Sequence, residues 1–214
     1  MRVLALLSAL LLSTPLAAQR ADRATPGFVR VRLETALGNI VLALDAKHAP
    51  ITTANFMRYV DDGRFDGISF YRVARSKQAP QFGFIQSGIR TDARRFLDTI
   101  PHEPTSKTGI RHLDMTISMA RRGEPGSANG NWFITVGAMP SMDASKDHPG
   151  YAAFGRVVAG QDVVRRILAQ PTGGGMGGTM LMKLVYISRA VRLDGVAKPT
   201  GRPRPWLIEH RKDG

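Results

Sequence analysis

The sequence predicts an all-β domain, a closed antiparallel β-barrel plugged by two short helices. Three observations predict it. Short segments alternating apolar and polar residues recur along the chain, turn signals separate them, and only two stretches change to a helical period. The 214 residues make one domain of ordinary size, and an apolar fraction of 43% is enough for a core.

The elements follow in order. "FVRVRLETALGNIVLALDA" (28–46) alternates, breaks at Leu37-Gly38-Asn39 and alternates again, which is a β-hairpin. In "PITTANFMRYVDDGRF" (50–65), Ala54, Met57, Tyr59 and Val60 suit a short helix opened by Thr52 or Thr53 and stopped at Gly63. Short strands follow at 69–73, 84–88, 115–120, 131–136 and 152–158. "QDVVRRILAQ" (161–170) is the second helix, and "MLMKLVYISRAVRL" (180–193) closes the domain as a long strand. In "SFYRV" (69–73), strict alternation puts Phe70 and Arg72 on one face and Tyr71 and Val73 on the other.

The first residues read as an export signal. Met1-Arg2 is a short positive start, residues 3–12 are apolar apart from Ser8, and the small residues Ala17-Ala18 follow. The apolar run is too short to span a bilayer. Residues 1–20 are therefore expected to be a signal peptide cleaved near residues 17–21, and the mature protein to be periplasmic, without stable membrane insertion. The folded domain is expected over residues 27–194, followed by a basic, Pro-rich tail over 195–214.

The net charge of +13 is scattered in small pairs such as Arg94-Arg95, Arg121-Arg122 and Arg165-Arg166, and concentrated only in the tail. No recognition helix, zinc finger or RNA-binding aromatic motif accompanies it, so no nucleic-acid partner is expected. There is no cysteine, hence no disulfide framework and no thiolate chemistry. "TGGGMGG" (172–178) has a helix before it and a strand after it, the reverse of a phosphate loop, and reads as a connection. The five histidines show no metal spacing, and His102 beside Glu103 reads as a solvated pair. There is no G-x-S-x-G elbow, and the serines lack an obvious base. No metal and no cofactor are expected.

One succession of segments is more specific: "PITTANFMRYVDDGRFDGISFYRV", "FIQSG", "MTISMARRGEPGSANGNWFITV", "SMD" and "GYAAFGRVVAGQDVVRRI". In this order they closely resemble the cyclophilins, the peptidyl-prolyl cis-trans isomerases, from about Val29 to Arg192. The resemblance implies an eight-stranded barrel with a substrate groove on its outer surface. It implies a catalytic role for Arg72, a proline-pocket floor at Phe133 and an orienting role for Gln86. It also implies substrate contacts at Phe84, Ala120, Asn131, Met142 and Tyr151. The partners it implies are proline-containing unfolded or flexible polypeptides, met by a monomer. The alternative is a weakly catalytic or non-catalytic module of the same shape that holds peptides or partners.

These residue types suit the chemistry. Rotation about an X-Pro bond crosses a barrier of roughly 18 to 20 kcal/mol because the nitrogen lone pair is conjugated with the carbonyl. In the twisted amide that lone pair becomes an acceptor, so a fixed guanidinium stabilises the transition state more than the planar ground state. An apolar slot of Phe133, Phe84 and Met142 grips the ring meanwhile. The sequence departs from the family in three places. Residues 73–85 are longer and contain Pro80, which leaves either Phe82 or Gly83 in the position of a family aromatic. Asn131 replaces a usual glutamine with Trp132 in place of the first of two aromatics, and Ser141 stands where some members carry a tryptophan.

Overall fold

A computed structural model describes residues 25–209. The predicted signal peptide and the last residues of the tail lie outside the described residues. The first two strands, β1 (Phe28–Thr35) and β2 (Gly38–Asp45), form the expected hairpin, with Leu33 facing Ile40 and Val31 facing Leu42. Val31, Leu33, Ile40, Leu42 and Leu44 all point inward and are fully buried. The turn is Ala36-Leu37, one position earlier than read from the sequence, because Thr35 Oγ1 bonds both the Gly38 carbonyl and the Leu37 amide.

Helix α1 (Pro50–Asp61) begins with a proline in its first turn, where the missing N–H costs nothing. Neither threonine opens it as expected. Glu103, from a distant loop, accepts from the amides of Ile51 (3.1 Å) and Thr52 (2.7 Å) and from the Thr52 hydroxyl (2.6 Å). Glu103 is buried, so the solvated reading of His102-Glu103 is wrong for the glutamate. A carboxylate at the positive end of the helix satisfies donors that have no partner within it. Ala54 faces solvent, but Met57, Tyr59 and Val60 are buried as expected, with Phe56 beside them. Gly63 (φ +66°) lets the chain turn away, as its position after the helix predicts.

Strands β3 (Ser69–Arg75) and β4 (Gly83–Gly88) follow, then β5 (Thr116–Met119), β6 (Asn131–Val136) and β7 (Ala153–Ala159). Helix α2 (Gln161–Leu168), the two-residue β8 (Thr172–Gly173) and β9 (Met180–Arg192) complete the barrel. The strand order is β1-β2-β7-β5-β6-β4-β3-β9, and β1 pairs β9 to close the ring, so eight antiparallel strands leave no long open edge. β8 only adds a stub to β9. Beyond the two expected helices, Thr105–Thr108 and Trp206–Glu209 add single turns.

The core is aromatic at its centre. Trp132 is fully buried and meets the rings of Phe56, Phe65 and Phe70 edge-on at 5.7, 6.1 and 5.5 Å. α1 stands at the Asp45 end of the β1–β2 hairpin, where Thr53 bonds the Asp45 carbonyl. α2 stands at the turn end, where Arg166 bonds the Leu37 carbonyl and Val163 lies against Gly38. The two helices thus plug opposite ends and leave the outer face of the sheet free.

The segment after β9 folds back on the barrel. Thr200 bonds Asp62 through its amide and hydroxyl, and Arg202 pairs with Asp98 at 2.6 Å. Trp206 is buried to 2% exposure between the guanidinium groups of Arg64 (4.7 Å) and Arg95 (5.3 Å).

Candidate functional site

The site is set by a β-bulge. Along β3, Phe70 faces Ser87 of β4, but Arg72 faces the very next residue back, Gln86, so Tyr71 is an extra residue in the ladder. Strict alternation therefore fails here, and Phe70 and Arg72 do not share a face. Phe70 is fully buried against Trp132 and Val73 returns to the core, while Tyr71, buried outside the core cluster, and the half-buried Arg72 turn towards the outer face. On the other side β9 also breaks register, from Val185 opposite Phe70 to Met180 opposite Arg72. That break brings the glycine-rich connection beneath the arginine.

Arg72 is held at two points. Its Nη1 donates to Gln86 Oε1 (3.1 Å), and its Nε donates to Thr179 Oγ1 (3.0 Å). Its Cζ lies 5.2 Å from the centre of the Phe84 ring. Gln86 Nε2 donates to the Tyr71 hydroxyl (2.8 Å), which donates to Asn131 Oδ1 (3.2 Å). Burial pushes the Tyr71 phenol up, so it keeps its proton for that bond. This chain of bonds fixes which end of the Gln86 amide faces the guanidinium. The remaining guanidinium donors on Nη2 meet no acceptor among the described residues.

Phe133 sits between Gln86 of β4 and Ser118 of β5. Its neighbours Trp132 and Ile134 enter the core, and Phe133 points outward. It is nevertheless only 3% exposed, because Phe84 (5.4 Å), Tyr151 (5.5 Å, edge-on) and His112 (6.0 Å, stacked) surround it. Ala120 and Asn131 line an adjoining cleft of about 570 Å³ together with Tyr71 and Gln86. Met142, half-buried in the turn Pro140–Met142, joins through its backbone, whose carbonyl accepts from the Tyr151 amide (3.0 Å). Arg72, Gln86, Phe84, Phe133 and Tyr151 therefore form one contact group. Asn131 is attached through Tyr71, Ala120 through the cleft and Met142 through the main chain.

The insertion lengthens the β3–β4 hairpin. Ser76 bonds the Phe82 carbonyl and Arg75 faces Gly83. Gly83 (φ +149°) is the ladder residue, where a Cβ would meet the Ala74 oxygen at 2.1 Å, and Phe82 lies half-exposed over Gly137. Neither enters the contact group around Phe133.

Sequence reasoning missed two supports. Thr179 belongs to a loop read only as a connection, and no local pattern marks it. The statement that the serines lack a base is also corrected: His112 Nε2 lies 2.9 Å from Ser118 Oγ, and His112 Nδ1 lies 2.7 Å from Asp143 Oδ1. A Ser-His-Asp line of this kind serves acyl transfer when the serine is open to substrate. Ser118 is fully buried, so no carbonyl reaches it. Burial pushes the His112 pKa down, against the pull of Asp143. The neutral ring donates from Nδ1 to Asp143, accepts from Ser118 and presents its face to Phe133.

Fold and site together define a barrel with a clamped arginine beside an aromatic cluster on its outer wall. Residues 30–190 match the family model described as cyclophilin type peptidyl-prolyl cis-trans isomerase/CLD, and the chain belongs to that family. It is 38% identical over 137 residues to peptidyl-prolyl cis-trans isomerase A of Dickeya dadantii, covering 64% of this chain and 70% of that protein. It is 36% identical over 150 residues to a peptidyl-prolyl cis-trans isomerase of Streptomyces antibioticus, covering 69% and 87%. The crystal structure of the cyclophilin type isomerase of Cryptosporidium parvum superimposes with a TM-score of 0.64 at 19% identity, over 79% of this chain and 99% of that one. The same protein in the presence of the dipeptide Ala-Pro gives 0.61.

Proposed function

We propose that this protein speeds rotation about X-Pro bonds, the reaction its family is named for, at the group formed by Arg72, Gln86, Phe84 and Phe133. The observation that carries this reading is the fixed guanidinium: two of its nitrogens are committed to Gln86 and Thr179, and donors on Nη2 remain beside the Phe84–Phe133 ring pair. The proline ring enters the pocket and is gripped by aromatic faces. The preceding carbonyl turns while the ring stays. As conjugation is lost, the imide nitrogen gains acceptor character and Arg72 donates to it. Because Gln86 and Thr179 already orient the guanidinium, little reorganisation is needed at the transition state. Gln86 and Asn131, on the rim, bind substrate backbone. No bond is made or broken and no proton is transferred.

The substrates follow from this chemistry: unfolded or flexible polypeptides, since an X-Pro bond within rigid structure cannot enter a surface pocket. The sequence of residues 1–20 supports export, and the clients are then proteins folding outside the cytoplasm. Mass determination of the protein recovered from the periplasm tests this, with the mature chain expected to begin within residues 18–22. For the activity, the test is isomerisation of a proline tetrapeptide by the purified protein and by Arg72→Ala. Wild-type rates well above the uncatalysed exchange are expected, with a loss on the order of 10²- to 10³-fold in the variant, the usual cost of one transition-state donor. Equal rates in both overturn the role of Arg72. Rates no faster than buffer, with peptide still bound, leave a binding module.

A further inference from the structure

The cleft beside the site carries three arginines, Arg90, Arg121 and Arg122, and no Asp or Glu lines it. Arg90 lies over the Tyr71 ring at 5.4 Å and Arg121 over the Tyr151 ring at 5.0 Å, so both reach towards the isomerisation site. Arg121 donates to the carbonyls of Gly150 (3.0 Å) and Arg122 (2.9 Å), acceptors that leave its charge uncompensated. None of the three forms an ion pair with a described carboxylate: Glu124, two residues after Arg122, forms none, and Asp92, two residues after Arg90, pairs with Arg94 and Arg95 instead. Several arginines elsewhere are paired with a carboxylate, as Arg30 with Asp194, Arg192 with Asp61 and Arg202 with Asp98. Three unpaired guanidinium groups around one concave surface hold each other at an electrostatic cost that an incoming anion relieves.

We propose that this cleft binds an acidic side chain of the polypeptide substrate, close in sequence to the proline being isomerised. The inference rests on the isomerase reading above and adds a substrate preference to it. Guanidinium forks match a carboxylate, and Met176 and Met180 in the same cleft cover the aliphatic stem of a glutamate. Gln86 is shared between cleft and site, so a chain whose proline lies at the site passes the cleft with residues close in sequence to that proline.

The test uses proline peptides with one Glu walked through the three positions on either side of the proline, and the same peptides with Gln. Isomerisation rates and binding by fluorescence anisotropy are both measured. At one position Glu is expected to exceed Gln about five-fold at low ionic strength, as for a partly enclosed ion pair, and the advantage shrinks in about 0.5 M salt. The Arg90→Ala/Arg122→Ala double variant brings the Glu/Gln ratio to about one, and Arg122→Glu shifts the preference towards a Lys peptide. A ratio of one at every position, or a ratio unchanged in the double variant, overturns the proposal. If Glu peptides bind preferentially while no peptide is isomerised, the carboxylate site stands and the isomerase reading falls. If all peptides are isomerised alike, the reverse holds.

Discussion

Thr179→Val isolates the clamp on the arginine. The Thr179 hydroxyl donates to the Met176 carbonyl at 2.7 Å, which turns its lone pairs towards Arg72 Nε, 3.0 Å away. Valine keeps the shape and removes the acceptor. A hydrogen bond to a charged group contributes about 1.5 to 3 kcal/mol net, and the low end applies because Arg72 is half-buried and water replaces part of the bond. About 1.5 kcal/mol corresponds to roughly a tenfold fall in kcat/KM. The fall is expected in kcat, since the orientation matters most when the imide nitrogen becomes an acceptor. The assay is isomerisation of a single X-Pro peptide followed by NMR exchange, with the melting temperature as a control for folding. The same substitution in an Arg72→Ala background is expected to change nothing further, because the two residues act through one bond. A tenfold loss that persists without the arginine, or no loss in its presence, refutes the orientation argument.

Three further outcomes follow from the packing. Burial holds the His112 pKa below its ordinary value, so the unfolded chain takes up a proton first as pH falls; stability should be flat above about pH 7 and decline below about pH 6.5. His112→Gln should remove that part of the slope in urea titrations at pH 7.5 and 5.5, and an unchanged slope would place its origin elsewhere. Trp206→Ala empties the slot between Arg64 and Arg95 and should cost about 3 kcal/mol, lowering Tm by on the order of 10 °C; an unchanged Tm means the docked segment adds nothing to stability. Glu103→Ala strands the amides of Ile51 and Thr52, and a loss of about 2 kcal/mol should appear as a Tm lower by about 4 to 8 °C, with isomerase activity at permissive temperature retained.

By itself the sequence determined the strands and the two plugging helices, and the resemblance it carries named the candidate site residues. Period-two alternation reports which residues enter a core, and it places Phe133 outside between Trp132 and Ile134 without help from the fold. It failed at Tyr71, where an extra residue in the ladder reversed the facing of Phe70 relative to Arg72; a bulge is a property of a pair of strands and leaves no mark on one of them. The supports came from far along the chain. Thr179 is 107 residues from the arginine it orients, and Glu103 is 51 residues from the Thr52 amide it caps. Asp143 meets His112 across 31 residues, and Trp206 reaches Arg64 only after β9 has closed the ring. Local pattern carries the information for burial because water acts on each residue separately. Hydrogen-bond partners between distant residues exist only once sheet closure has set the distance between them, and that was decided by the tertiary structure.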